Sequence, residues 1–272
     1  MSKKLTGLVA MAAAAFAGSA LAADMPVKAA PPVAPAVINN WSGWYAGLNA
    51  GYSWGRSSVD YAQGPSDFFG VDTPGSTLTL STKLSPQSFI GGGQVGFNYQ
   101  TGAWVWGAEA DIAWRDNEDS KSFILNSAND TLTLSGNQRW VGTVRGRLGY
   151  APAAAPNWLI YATGGLAYGN FEHTVTQFCN VACSQTQTFS DSATRAGWTV
   201  GGGLEFAFNR NWSVGAEYLY MDFGKSTLAV AAAGVPPLPV PGTTTFPATT
   251  ATFHDTSHVA RLKLNYRFGG PY

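Results

Sequence analysis

Charged residues are scarce in this chain. They make up 12% of its 272 residues, whereas about a quarter of a typical soluble domain is charged. Sixteen basic and sixteen acidic residues give a formal net charge of zero. The composition therefore offers no argument for a nucleic-acid partner.

Long apolar runs are also missing beyond the N-terminus. After the first two dozen positions, no segment approaches the roughly 18 consecutive apolar residues that a membrane-spanning helix needs. The chain is nevertheless 45% hydrophobic and 13% aromatic, and it contains 32 glycines. A chain that is rich in glycine and aromatic residues but poor in charge fits a β-barrel that crosses a membrane with strands.

The N-terminus predicts export. A basic start and an apolar stretch precede the small-x-small site Ala20–Ala22, which is the pattern of a Sec signal peptide over residues 1–22. Residues 23–40 are rich in alanine and proline and predict an extended periplasmic leader. We expect the folded domain to cover residues 41–272.

Aromatic residues recur in pairs ten positions apart. An even spacing puts both rings on the same face of a β-strand. Ten residues at roughly 3.3 Å each, tilted by about 40°, rise about 25 Å, which is the height of the apolar band of an outer-membrane barrel. Aromatic girdles mark both edges of that band. The predicted girdle residues are Trp44, Trp54, Phe89, Tyr99, Trp104, Trp114, Trp140, Tyr150, Trp158, Tyr168, Trp198, Phe208, Trp212, Tyr220 and Phe268.

Alternation and turn residues predict eight strands. They cover 44–54, 88–99, 104–114, 139–151, 158–171, 196–208, 212–221 and 258–268. Long polar segments and short turns alternate between them; the long ones are 55–87, 115–138, 172–195 and 222–257, and the short ones are 100–103, 152–157 and 209–211. The predicted fold is all-β: an eight-stranded antiparallel transmembrane β-barrel with short periplasmic turns and four long extracellular loops.

Side-chain parity separates a membrane barrel from a soluble one. A soluble eight-stranded barrel puts its apolar residues inside and its charges outside. Over 258–268, Leu262, Leu264 and Tyr266 share one face, and the basic residues lie on the other. A lipid-facing Arg or Lys near the midplane would cost about 2–4 kcal/mol. The aromatic faces of 104–114, 139–151 and 212–221 likewise carry no charge. Side-chain parity therefore favours the membrane barrel.

The opposite faces of the strands collect the charges in the predicted lumen. These residues are Glu109, Asp111, Arg145, Arg147, Glu205, Glu217, Arg261, Lys263 and Arg267. An eight-stranded barrel is just wide enough for side chains to fill, and buried charges must be paired and hydrogen-bonded. We interpret the set as an ion-pair network that plugs the barrel, and the alternative is an ion pathway.

Cysteine and histidine give little support for a metal or catalytic site. Cys179 and Cys183 lie four apart in a predicted exposed loop; in an exported protein they form a local disulfide or stay free thiols, and no cluster of metal ligands surrounds them. His173, His254 and His258 fall at predicted loop bases and match no catalytic motif. We predict no enzyme activity, metal or cofactor, and loop-based haem binding remains an alternative.

Several segments together resemble a known family. They are WSGWYAGLNAGYSWG (41–55), GGGQVGFNYQTGAWVWGAEADI (91–112), VGTVRGRLGYA (141–151), YATGGLAYG (161–169), GWTVGGGLEFAF (197–208), WSVGAEYLYMDFG (212–224) and a final strand that ends in NYRF (265–268). The chain resembles the small outer-membrane immunogenic β-barrel proteins of alphaproteobacteria, in the OmpA-like superfamily. In such proteins the last strand usually ends on an aromatic residue of the assembly signal, for which Phe268 and Tyr272 are both candidates.

The resemblance implies an abundant surface protein of the Gram-negative outer membrane. It implies insertion by the barrel assembly machinery, contact with outer-membrane lipid and lipopolysaccharide, and a host or surface ligand that meets the loops. The sequence thus predicts a structural envelope and surface-interaction role. A small-solute porin and a loop-based haemin binder are the alternatives, because some relatives are described as one or the other.

Overall fold

The fold is described from a computed structural model over residues 40–66, 69–115, 118–180, 184–231, 233–234 and 245–268. The predicted signal peptide and all of the predicted leader except Asn40 lie outside these residues. The strands are β1 (Gly43–Ser66), β2 (Ser76–Leu84), β3 (Gln87–Thr101), β4 (Trp104–Arg115), β5 (Glu118–Ile124), β6 (Thr131–Tyr150), β7 (Trp158–Cys179), β8 (Gln185–Ala207), β9 (Trp212–Val230), β10 (Ala233–Gly234), β11 (Thr245–Phe246) and β12 (Thr249–Phe268). Within the described part, no helix is long and apolar enough to cross a membrane.

Ten of the strands described form one sheet that closes on itself. Its ring runs β1, β3, β4, β6, β7, β8, β9 and β12, and β12 pairs with β1 to close it. All pairings are antiparallel. The short strands β2 and β5 lie off the ring, against β1 and β6, and β10 pairs with β11 separately. The prediction of an all-β, antiparallel ring is confirmed.

The ring has two sections of opposite polarity. In the lower section, which lies between the paired aromatic residues, outward positions such as Leu48 and Leu166 are apolar and inward positions such as Asn49 are polar. In the upper section, which continues six of the eight ring strands, outward positions such as Asp60 are polar and inward positions such as Val59 are apolar and buried. The alternation with period 2 persists, and only the polarity of the two faces changes.

The predicted loops are mostly strand, and this part of the prediction is wrong. The strand predicted over 44–54 continues to Ser66, and the one predicted over 158–171 continues to Cys179. Two further strands, β2 and β5, lie inside segments predicted as loops. The outward faces here are rich in Ser and Thr, so the composition resembles that of a loop. Inward apolar residues nevertheless give these segments a core to pack on.

The upper section consists of two sheets. One contains β2, β1, β12 and the end of β9, and the other contains β5, β6, β7 and the start of β8. The β8–β9 pairing stops at Trp198 and Asp222. Both sheets contribute to a shared upper core, whose buried members are Val59, Tyr61, Leu84, Leu132, Leu134, Val175, Ala251 and Phe253.

The interior is layered along the barrel axis, as β12 illustrates. Its inward residues pass from the charged Lys263 and Arg261, through Val259, to the polar Ser257 and Asp255. Further inward positions belong to the upper core. A charged layer, a middle apolar layer, a small polar zone and an upper apolar core therefore follow one another.

Candidate functional site

The structure gathers eight of the nine predicted interior charges into one layer, here called the charged layer. Its members are Glu109, Asp111, Arg145, Arg147, Glu205, Glu217, Arg261 and Lys263. They come from β4, β6, β8, β9 and β12. Each occupies an inward position of a strand whose outward neighbours are apolar or small, so the local alternation aims all eight at the barrel axis.

Arg145 lies at the centre of the charged layer and is fully buried. Its Nη2 is 2.6 Å from Glu109 Oε1 and 2.8 Å from Asp111 Oδ2. Its Nη1 is 3.1 Å from Glu217 Oε1, on the non-neighbouring strand β9. One guanidinium thus connects opposite walls of the ring, with the directional donors that arginine provides.

Arg261 and Lys263 approach the same carboxylates from β12. Arg261 Nη2 is 2.6 Å from Glu217 Oε2 and 2.9 Å from Asp111 Oδ2. Lys263 Nζ is 2.6 Å from Glu109 Oε2. Each of these carboxylates therefore meets at least two cations, which compensates for the removal of its charge from water.

Arg147 pairs with Glu205 on the lower side of the charged layer. Its Nη2 is 2.8 Å from Glu205 Oε2, and its guanidinium carbon lies 3.9 Å from the ring centroid of Tyr161. Glu205 Oε1 also accepts hydrogen bonds from Ser213 Oγ at 2.6 Å and Asn265 Nδ2 at 2.9 Å. Glu205 is thus satisfied by charge, hydroxyl and amide contacts, whereas the buried Arg147 Nε has no hydrogen-bond partner among the described residues.

Uncharged side chains complete the charged layer, and none of them was among the residues predicted for the lumen. Tyr45 Oη donates to Glu109 Oε2 at 2.6 Å, and Tyr161 Oη donates to Glu217 Oε1 at 3.0 Å. Thr143 Oγ1 donates to Asp111 Oδ2 at 2.6 Å. All three lie on the inward faces of predicted strands, so parity was the signal that could have found them.

Arg267 is held differently from the other eight. Its Nη1 donates to the carbonyl oxygen of Asn40 at 2.8 Å, and its guanidinium lies 4.7 Å from the Trp41 ring. Trp41 belongs to a lower apolar layer whose members are Trp41, Val105, Ala151, Leu159, Tyr161 and Ala207. Arg267 therefore anchors the lower end of the interior.

The charged layer is balanced and enclosed. Its four carboxylates face four cations, and none of their side chains is more than 4% exposed. The lower apolar layer covers one side. A middle apolar layer covers the other; its members are Ile90, Ala113, Val141, Ala167, Phe171, Leu219, Met221, Phe223 and Val259. The ion pairs of the charged layer therefore connect side chains from five strands of the ring.

Fourteen of the fifteen predicted girdle residues lie on outward faces of the ring strands, and Phe208 lies just after the end of β8. Eleven are exposed, and Trp54, Trp140, Tyr168 and Tyr220 are half-buried. Neighbouring rings contact each other, for example Trp104 and Tyr150 at 5.4 Å between centroids. Broad aromatic surfaces at both ends of an apolar band are typical of a membrane-facing barrel.

His173 and His254 lie on strands rather than in the loops predicted for them, and His258 lies on β12, within the strand predicted over 258–268. His173 is buried; its Nε2 is 3.2 Å from Asp255 Oδ2, and its ring stacks on Phe253. His258 stacks on Trp54 at 5.8 Å. The upper section places His173 and His254 on strands because its alternation continues past the predicted strand ends. Among the described residues, no group of three or more His, Cys, Asp or Glu is placed to hold a metal ion.

Cys179 is buried at the end of β7 rather than exposed in a loop. The predicted partner Cys183 lies outside the described residues, so their pairing stays a prediction.

A polar contact links the connection before β2 to the connection between β5 and β6. Asp72 Oδ1 accepts hydrogen bonds from the Ser127 hydroxyl at 2.6 Å and the Ser127 N–H at 3.0 Å. These hydrogen bonds lower the pKa of the Asp72 carboxyl.

Comparison with known proteins agrees with this architecture. A model of the outer membrane protein beta-barrel domain matches residues 7–268. The chain is 35% identical over 266 residues to the 31 kDa outer-membrane immunogenic protein of Brucella melitensis, covering 96% of this chain and 98% of that protein. It is 29% identical over 194 residues to the 22 kDa outer membrane protein of Rhizobium leguminosarum, covering 71% and 68%.

Among solved structures, the outer membrane protein OprG from Pseudomonas aeruginosa aligns with a TM-score of 0.47 at 14% identity, over 84% of this chain and 97% of that one. The family match and the Brucella relative confirm the resemblance found in the sequence. The chain therefore belongs to the outer membrane protein beta-barrel domain family, and its location is the bacterial outer membrane.

Proposed function

We propose that the chain is an eight-stranded transmembrane barrel with a closed lumen, and that it serves the outer membrane as a structural and surface-interacting protein. In this proposal, the short turns face the periplasm and four long connections form the extracellular side. The aromatic girdle contacts outer-membrane lipid and lipopolysaccharide. Residues 1–22 direct export, residues 23–40 form the leader, and the barrel assembly machinery inserts the domain. The proposal includes no enzymatic activity.

The charged layer is the observation that carries the closed lumen. Arg145, Arg261 and Lys263 each lie within 2.9 Å of a carboxylate oxygen, and their side chains are at most 1% exposed. Hydrated ions passing through would have to separate these pairs. Removing one partner of a buried pair costs about 3–5 kcal/mol because the other charge is left uncompensated.

The upper section supports the surface-interaction role. Beyond Trp198 on β8 and Asp222 on β9, the two strands no longer pair with each other. Within the described part of the chain, their facing edges have no other strand partner. An unpaired strand edge exposes backbone N–H and C=O groups that can bind an extended segment of another molecule.

Conductance and heat stability, measured on the same variants, test the closed lumen. We expect the refolded mature wild type to give no steady channels in planar bilayers. Glu217→Ala and Arg261→Ala should lower the unfolding temperature without opening a channel, since the apolar layers above and below remain. Arg139→Ala is the matched control, because Arg139 forms an exposed pair with Glu172 at 3.3 Å, and such pairs contribute about 0–1 kcal/mol.

Steady wild-type channels with a conductance that changes in Glu217→Ala would contradict the closed lumen and identify a small-solute porin. Unchanged heat stability in both charged-layer variants would show that the ion pairs do not hold the ring together.

A further inference from the structure

A small cavity lies between the middle apolar layer and the upper core. It has a volume of about 30 Å³, and its lining includes Ser57, Arg115, Gln138, His173 and Asp255. A cavity needs roughly 10–15 Å³ to hold a water. This cavity therefore has room for at least one species of the size of water.

Arg115 brings an unusual set of donors to this cavity. It is only 6% exposed. Its Nη1 donates to Ser53 Oγ at 2.6 Å and to Ser257 Oγ at 3.1 Å. Its Nε and Nη2 donate to no acceptor in the described part of the protein. Two donor nitrogens of a buried cation, with three N–H groups between them, thus have no acceptor among the described residues.

The electrostatic surroundings of Arg115 differ from those of the charged layer. Arg145 and Arg261 each have carboxylate oxygens within 2.9 Å, whereas no ion pair joins Arg115 to any acidic residue that the structure describes. The carboxylate that shares the cavity, Asp255, is paired with His173 at 3.2 Å. A buried guanidinium without a close counter-ion is destabilised by its removal from water.

Two other buried groups extend the donor set. Gln138 Nε2 and Ser57 Oγ have no hydrogen-bond partner among the described residues, and these residues are 6% and 5% exposed. Both line the same cavity as Arg115. Leaving a buried donor unsatisfied is destabilising. A bound water would satisfy some of these donors. An anion would in addition compensate the guanidinium charge at closer range than Asp255, which interacts with Arg115 electrostatically but forms no ion pair with it.

We propose that this cavity is a binding site for one small monovalent anion of the chloride class. Arg115 Nε and Nη2 would hold it by charge-assisted hydrogen bonds, with Ser57 Oγ and Gln138 Nε2 as additional donors. The single guanidinium charge beside the cavity favours a monovalent anion over the multiply charged sulfate and phosphate. The site lies above the charged layer and uses none of its members, so it is independent of the closed lumen.

Chloride-dependent stability tests the proposal. The folded mature chain in detergent micelles is unfolded with urea at rising sodium chloride, with sodium gluconate keeping the ionic strength constant. A ligand that binds only the folded state shifts the unfolding equilibrium about tenfold for each tenfold rise in concentration above its Kd. We expect this shift in the wild type and in the control Arg139→Gln, and we expect its loss in Arg115→Gln.

A second measurement does not depend on the folding of a variant. Crystals of the wild type grown in sodium bromide should show an anomalous scattering peak beside Arg115. Absence of that peak, or a chloride response that is equal in Arg115→Gln and the wild type, would overturn the anion site and leave a cavity that holds only water.

Discussion

The carboxylate of Asp130 joins three separate connections of the upper section. Its Oδ2 accepts hydrogen bonds from the Gly70 N–H at 3.1 Å and from Asn126 Nδ2 at 2.8 Å, and its Oδ1 accepts one from the Asn180 N–H at 2.8 Å. These partners follow β1, β5 and β7. Because Asp130 is only 1% exposed, little water is available to replace a lost contact.

Replacing Asp130→Ala should loosen these connections without unfolding the ring. Two backbone N–H groups lose their acceptor, at a cost of about 1–3 kcal/mol each if they stay buried. We expect faster amide hydrogen exchange at Gly70 and Asn180, with unchanged exchange in the lower section. Asp60→Ala is the control, since Asp60 is exposed and accepts a hydrogen bond from Ser81 at 2.7 Å. Equal loss of protection in both variants would contradict this role.

At the scale of one element, β8 passes through both sections with its side-chain alternation intact. Its outward Leu204 is 46% exposed in the apolar band, and its outward Thr188 is exposed in the upper section. The two positions are sixteen residues apart and share a face, since the separation is even. In the proposed orientation, Leu204 faces lipid and Thr188 faces water.

Substitution with arginine at these two positions should therefore have different effects. A lipid-facing Arg at the midplane costs about 2–4 kcal/mol, and the penalty falls towards the interface. We expect Leu204→Arg to lower the free energy of unfolding in lipid vesicles by about that amount, and Thr188→Arg to leave it almost unchanged. Similar losses at both positions would contradict the proposed membrane boundary between the sections.

For the whole molecule, the change from apolar to polar outward side chains predicts that the upper section lies on the outside of the cell. An epitope tag between Pro74 and Gly75, in the turn before β2, should be detected by antibody on intact cells. A tag between Ala153 and Ala154, in the short turn between β6 and β7, should be detected only after the outer membrane is permeabilised. Both turns are exposed in the structure. A difference in antibody binding therefore reports the side of the membrane on which each tag lies. The reverse pattern would invert the proposed orientation.

The sequence determined the local features of this protein. Each strand of the lower section could be predicted from its own residues, because outward rings and inward charges follow a period of two within a single segment. Trp198 and Phe208 define one such segment, and Arg261 and Lys263 reveal the inward face of another. The all-β antiparallel ring and the family resemblance also follow from these local patterns.

Only the tertiary structure decided which groups meet. Arg145 reaches Glu217 across the ring, and Arg115 reaches Ser53 and Ser257 but forms no ion pair with a carboxylate among the described residues. No local spacing encodes these distances, because they depend on the closure of the ring. The upper section escaped prediction for a related reason: its polar outward faces resemble loops until two sheets, distant in sequence, bury Val59 and Phe253 in one core.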